Sequence, residues 1–248
     1  MPELRLARAL PAASSRWRLV ALVSGAAAVV ISLGPPLDDR AEASLAGHMA
    51  QHVVLLVVAA PLLALGRPMA TLGLRVPEAW RRRLPSLDGP ERWLAVLAVA
   101  FVAQTAAMWG WHAPLLFDAA DRHLPLHVFE HACLLGGAFV FWWAVLGAGS
   151  RARLGVGVLA VFLATLACNA LGAAMTLANS PWYSTYATGT RAAALSDQQS
   201  AGVIMWAAAT IVYIGAAAGL FFAWLADSET AGGAVPSRIV RPPARTPA

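Results

Sequence analysis

Six continuous apolar runs, each about as long as a bilayer is thick, constrain this chain more than any motif in it. They fall at 19–37, 46–65, 93–110, 125–146, 154–178 and 202–226. Crossing roughly 30 Å of hydrocarbon takes about 20 mostly apolar residues as a helix, because every backbone group left unpaired in lipid costs several kcal/mol. The strands of a closed barrel would instead alternate over segments of about ten residues. The predicted fold is therefore all-α, a polytopic transmembrane helical bundle of about six spans in a lipid bilayer. It forms one domain over 1–226, with 227–248, containing Pro236, Pro242, Pro243 and Pro247, read as a disordered cytoplasmic tail. Composition agrees: 59% of residues are apolar and 12% charged, against about a quarter charged in soluble domains.

The first run has a second reading. Arg5, Arg8, Arg16 and Arg18, an apolar stretch and Ala41-Glu42-Ala43 together imitate a signal peptide with its cleavage site. Cleavage would leave five spans and the same sidedness for the rest.

The net charge of +5 comes with arginine as the only basic residue besides histidine, in short blocks between the apolar runs. That pattern describes topology, not a nucleic-acid partner, since cytoplasmic loops carry the excess of basic residues. Of the 18 arginines, all but Arg40, Arg122 and Arg191 lie in the N-terminal segment, 66–92, 147–153 and the C-terminal tail. Alternate connections thus sort into rich and poor, which predicts that both termini are cytoplasmic. Trp109, Trp111, Trp182, Tyr183 and Tyr186 then read as an outer aromatic belt, and Trp17, Trp93, Trp142, Trp143 and Trp224 as an inner one. Gly155, Gly157, Gly172, Gly202, Gly215 and Gly219 suit close helix packing in lipid.

In this topology all six histidines fall on the outer side: His48, His52, His112, His123, His127 and His131. His48 and His52 are four apart at the start of the second run, as are His127 and His131 at the start of the fourth. That spacing puts two imidazoles on one helix face, where they can converge on a metal. Ionisable groups inside a span are costly and usually mark function. His112 is a fifth candidate. Pro125 suits a first helical turn, so His123 falls just before the fourth span and is the weakest candidate.

Asp118, Asp121, Glu130 and Asp197 share that side. Asp197 reads either as the acid at the start of a helix or as an acceptor that orients a ligating imidazole. His127-Val128-Phe129-Glu130-His131 also matches H-x-x-E-H, the inverted zinc-protease pattern. A zinc metalloprotease would need a third ligand, which no second signature supplies. Paired imidazoles equally suit a haem-binding membrane redox protein. Met49, Met108 and Met205 are soft donors that select Cu(I), although methionine in an apolar helix ordinarily packs. Cys133 and Cys168 read as buried small hydrophobes, with no disulfide framework.

Several blocks together resemble the CtaG family of cytochrome c oxidase assembly factors. They are His48-Met49-Ala50-Gln51-His52, Leu65-Gly66-Arg67-Pro68, Trp111-His112-Ala113-Pro114-Leu115-Leu116-Phe117-Asp118, His127-Val128-Phe129-Glu130-His131, Phe141-Trp142-Trp143 and Asp197-Gln198-Gln199-Ser200-Ala201-Gly202, in the family's order. The resemblance implies a non-enzymatic, multispanning protein of the bacterial plasma membrane that helps to make active haem–copper oxidase. It implies copper as the cofactor and cytochrome c oxidase subunits as partners. Joined to the histidine spacing, it nominates His48, His52, His112, His127, His131 and Asp197 as the metal-site residues. The chain departs from the family in showing six spans where many relatives have seven.

Overall fold

The structure, a computed structural model, describes residues 15–73, 89–147 and 150–232. The described chain forms helices α1 (Ser15–Ser32), α2 (Leu37–Ala43), α3 (Leu45–Gly66), α4 (Pro68–Thr71), α5 (Pro90–Trp111), α6 (Pro114–Arg122), α7 (Leu124–Leu146), α8 (Arg151–Thr176) and α9 (Arg191–Gly232), with no strand among these residues. Six helices are long and apolar enough to cross a membrane: α1 joined to α2, then α3, α5, α7, α8 and α9. The protein is an all-α polytopic transmembrane bundle, and the six spans occur in the order the sequence predicts.

Two boundaries differ from the expectation. The last helix starts at Arg191, not 202, because the segment before the apolar run is alanine-rich and its polar residues have partners. Gln198 accepts from the Trp182 backbone N–H at 2.6 Å and donates to the carbonyls of Met175 and Ser180. The same helix continues to Gly232, past the position where a disordered tail was expected; 233–248 lie outside the described residues, as do Arg5, Arg8, Arg75, Arg81, Arg82 and Arg83.

The central helix is α3, which touches α1, α7 and α9. Pro61 has no N–H to give Val57, and its ring would crowd that carbonyl. The helix accommodates this by widening into a π turn over Val54–Ala59, where the Ala60 N–H reaches back to the Leu55 carbonyl. Such turns often flank functional sites, and this one follows directly on the turn that carries His52. Gln51, between the two histidines, ties α3 to the end of α1: its amide donates to the Ser32 carbonyl and to Asp38, both at 2.9 Å.

Helices α8 and α9 cross where Gly172 meets Gly202. A Cβ on Gly172 would sit 2.9 Å from the Gly202 carbonyl oxygen, so only glycine permits this approach. Trp93 and Trp142, expected as interface anchors, are instead buried. The Trp93 indole donates to the Ala144 carbonyl at 3.0 Å, and Trp142 stacks on Tyr213 with centroids 5.4 Å apart. Trp17 is exposed on the outside of the bundle.

Candidate metal centre

The first turns of α3 and α7 meet at one end of the bundle and bring four histidines together. His48 and His52, one turn apart on α3, point their Nε2 atoms at each other across 3.0 Å. His127 and His131 repeat the spacing on α7 with ring centroids 4.3 Å apart. Across the helix pair, His52 and His131 are 5.0 Å apart by centroid, and His48 and His127 5.3 Å. Ligand atoms of His48, His52 and His131 all lie within 4.8 Å of one another, as do those of His48, His127 and Glu130. Two imidazole nitrogens on one tetrahedral ion, each about 2.05 Å from it, stand roughly 3.3 Å apart, close to the His48–His52 separation.

Hydrogen-bond partners decide which nitrogens are free. The Tyr186 hydroxyl has two acceptors for its one proton, the Ala41 carbonyl at 2.7 Å and Asp121 at 3.0 Å, so it accepts from the His48 Nδ1–H at 3.0 Å. His48 Nε2 therefore presents a lone pair to His52. Beside this pair Glu130 is fully buried, and neither of its oxygens has a hydrogen-bond partner; they lie 3.8 Å from His52 Nε2 and 3.6 Å from His127 Nδ1. His52 Nδ1, His127 Nδ1 and His131 Nε2 are likewise buried without partners. Buried polar groups are almost always satisfied, because an unpaired one costs kilocalories. Four of these atoms, on Glu130, His127 and His131, sit beside His48 and fit a cation: the donor set is imidazole and carboxylate.

His112 flanks the cluster, its ring 5.5 Å from His52. Its Nδ1 lies 2.6 Å from the Met108 carbonyl, which can only accept, so that nitrogen carries the proton. The remaining lone pair, on Nε2, faces the Met49 sulfur at 3.2 Å. Burial pulls the His112 pKa down to about 4, against the Met108 hydrogen bond, so the ring is neutral and able to ligate at neutral pH.

A cover closes this end of the bundle. Helix α6 places buried Phe117 over His48, at 4.9 Å, and against Tyr183, at 4.2 Å. Burial raises the Asp118 pKa, but hydrogen bonds from the hydroxyls and backbone N–H groups of Ser184 and Thr185 outweigh it and hold the carboxyl below its usual range. Burial, with Asp121 beside it, pushes the Tyr186 phenol up, so it stays protonated.

The nominated residues separate into groups. His48, His52, His127 and His131 converge, and His112 adjoins them. His123 is exposed and serves through its backbone, its carbonyl accepting from the His127 N–H at the start of α7. Asp197 is neither the start of its own helix nor a partner of an imidazole. It lies in the second turn of α9, and its carboxylate accepts from the backbone N–H groups of Leu45 and Ala46, 2.8 and 3.1 Å away. The sequence reading assigned Tyr183 and Tyr186 to an interface belt. A local signal existed: Asp118 and Asp121 stand three apart on a short helix, facing a segment rich in hydroxyls, 180–190.

Comparison with known proteins fits this arrangement. The family profile described as cytochrome c oxidase caa3 assembly factor (Caa3_CtaG) matches residues 3–227, nearly the whole chain. An uncharacterized protein of Mycobacterium bovis and one of Mycobacterium tuberculosis are each 32% identical over 143 residues, covering 52% of this chain. The aligned part spans only 21% of those relatives' own length. No solved structure matches. The chain belongs to the caa3-type cytochrome c oxidase assembly factor family.

Proposed function

We propose that this chain binds copper at the buried histidine cluster, on the outer face of a bacterial plasma membrane, and assists its delivery to cytochrome c oxidase subunits. One observation carries the reading: a fully buried Glu130 and the partnerless ring nitrogens of His127 and His131 lie around His48, whose Nε2 lone pair is directed into the cluster. A cation fits either of two triads that share His48, one with His52 and His131 and one with His127 and Glu130. Copper is the cargo that fits an oxidase assembly family and a mixed imidazole and thioether set, with Met49 beside His112. The outward placement rests on the arginine-rich connections, which alternate along the chain with the arginine-poor ones beside the histidines.

The packing supports an ion over the other readings. Five imidazole rings touch at centroid distances of 4.3 to 6.0 Å, and a porphyrin between any two would drive α3 and α7 apart. A zinc protease needs its metal open to a peptide, whereas His48, His52, Glu130 and His131 are all buried beneath Phe117. We infer a carrier role and not catalysis.

Metal analysis and an optical spectrum of the purified protein test the reading. Stoichiometric copper without a Soret band is the expected result, and a strong Soret band sinks it. Competition with a Cu(I) chelator should show at least about a 10–100-fold loss of affinity for His48→Ala, His52→Ala, His127→Ala and His131→Ala. The exposed His123→Ala should lose much less. Wild-type affinity in all four cluster variants, each folded in the membrane, would defeat the shared site.

A further inference from the structure

Directly below the histidine cluster, toward the middle of the bundle, lies a cavity of about 20 Å³ among α3, α5, α8 and α9. A cavity needs about 10–15 Å³ to hold one water, so this one has room for a single water or a single ion. Its lining includes His52, Gln104, Thr105, Met108, Cys168 and Met205. Three of these carry buried atoms with no partner: His52 Nδ1, Gln104 Oε1 and Thr105 Oγ1. His52 is 4% exposed and Gln104 7%, so bulk water cannot satisfy them.

We infer that this cavity is a second, deeper binding site for one soft monovalent cation, Cu(I), which neutral His52 ligates through the Nδ1 lone pair while its Nε2–H stays toward His48 in the outer cluster. Two thioethers and a thiol, each from a different helix, border the same small space as the imidazoles of His52 and His112, the Gln104 and Thr105 oxygens and Tyr213. A structural water would answer the oxygens and the His52 imidazole, yet it bonds sulfur poorly. Soft sulfur donors select Cu(I). The two ring nitrogens of His52 diverge. Its Nε2 faces His48, while Nδ1 is left for the other side of the ring. A cation leaving the outer cluster toward the bundle interior would therefore meet the same imidazole from below. The identity of the cation rests on the copper reading above; the existence of the lower site does not.

The test loads the full chain in lipid nanodiscs with Cu(I) under anaerobic conditions, counts bound copper and records X-ray absorption at the copper edge. Met108→Leu with Met205→Leu is close to volume-conserving, so the core should tolerate it. Met49→Leu controls for the sulfur beside His112. The expected result is two copper ions per wild-type chain and a sulfur shell around one of them. The double methionine variant should lose one ion and most of that shell, while Met49→Leu, whose sulfur lies beside His112 in the outer cluster, keeps the lower ion and its sulfur shell. His131→Ala should lose the other ion and retain the sulfur-bound one. One copper per wild-type chain, with a sulfur shell abolished by the double variant, upholds the lower site and removes the outer one. Copper content and sulfur scattering unchanged by the double variant overturn the inference and leave the outer cluster standing.

Discussion

Asp197, in the second turn of α9, accepts hydrogen bonds from the backbone N–H groups of Leu45 and Ala46, which open α3 some 152 residues earlier. Ser44 completes the arrangement, its hydroxyl accepting from the Gly47 N–H and its own N–H donating to the Arg40 carbonyl. All four N–H groups left over by helix geometry are thereby satisfied on the turn that presents His48. Asp197→Ala leaves two of them without a partner, Leu45 being 2% exposed, at a cost of about 1–3 kcal/mol each where buried. The expected outcome is a lower unfolding midpoint in detergent together with a copper affinity reduced less than in His52→Ala. A variant that melts and binds as the wild type does would make this carboxylate idle.

Much of this was legible in the sequence, and the rest was hidden for a physical reason. Span number, span order and the two histidine pairs follow from hydropathy and the i, i+4 rule, because both are local; that the pairs meet across α3 and α7 is a tertiary relationship that no local pattern carries. The role of Asp197 was not legible: an acid near a helix start predicts a cap for that helix, and nothing local announces a partner on another helix. Tyr186 was hidden similarly, since an aromatic residue near an interface reads as an anchor until α6 is seen folding over it. Glu130 stands in the sequence only as a carboxylate on the histidine side and as part of a zinc-protease pattern, and three-dimensional packing shows it wedged between His52 and His127.

Asp118 latches α6 to the segment holding Tyr183 and Tyr186 through four hydrogen bonds. Its folded pKa is depressed by those bonds despite burial. Stability from this group is therefore fully present above the unfolded value of about 3.9 and is lost as pH falls through the lower folded value. Asp118→Asn should melt below the wild type at pH 7, and the two melting curves should converge as pH drops below about 4. A gap that persists unchanged in acid would show that the latch does not act through its charge.

The sidedness follows from arginine placement and is open to direct test. Reporter domains inserted after Arg83 and after Ser150 should behave as cytoplasmic, and those after Arg122 and after Gly189 as external. Alkaline phosphatase and fluorescent protein fusions read the two compartments independently. An external signal from the 66–92 connection would invert the bundle and turn the histidine end toward the cytoplasm, which removes delivery outside while leaving the cluster itself intact.

The cellular consequence concerns copper supply. A donor whose affinity falls by 1.4 kcal/mol has its occupancy ratio cut tenfold, so a weakened cluster should fail when copper is scarce and recover when it is plentiful. Cells lacking this chain should make oxidase polypeptides but little active oxidase, with partial rescue by added copper. Reintroduced His52→Ala and His131→Ala variants should show the same copper-dependent defect. Arg153→Ala, at the far end of the bundle where its guanidinium lies 5.4 Å from the Trp93 ring centre, should not. The measurement is oxidase activity per oxidase polypeptide across a copper titration, with variant levels matched by immunoblot. His52 is the more telling of the two positions, because it borders both the outer cluster and the cavity beneath it. Its loss should therefore need more copper for rescue than the loss of His131 does. Normal activity of both histidine variants at limiting copper would defeat metal delivery as the mechanism, even with the fold and the family assignment intact.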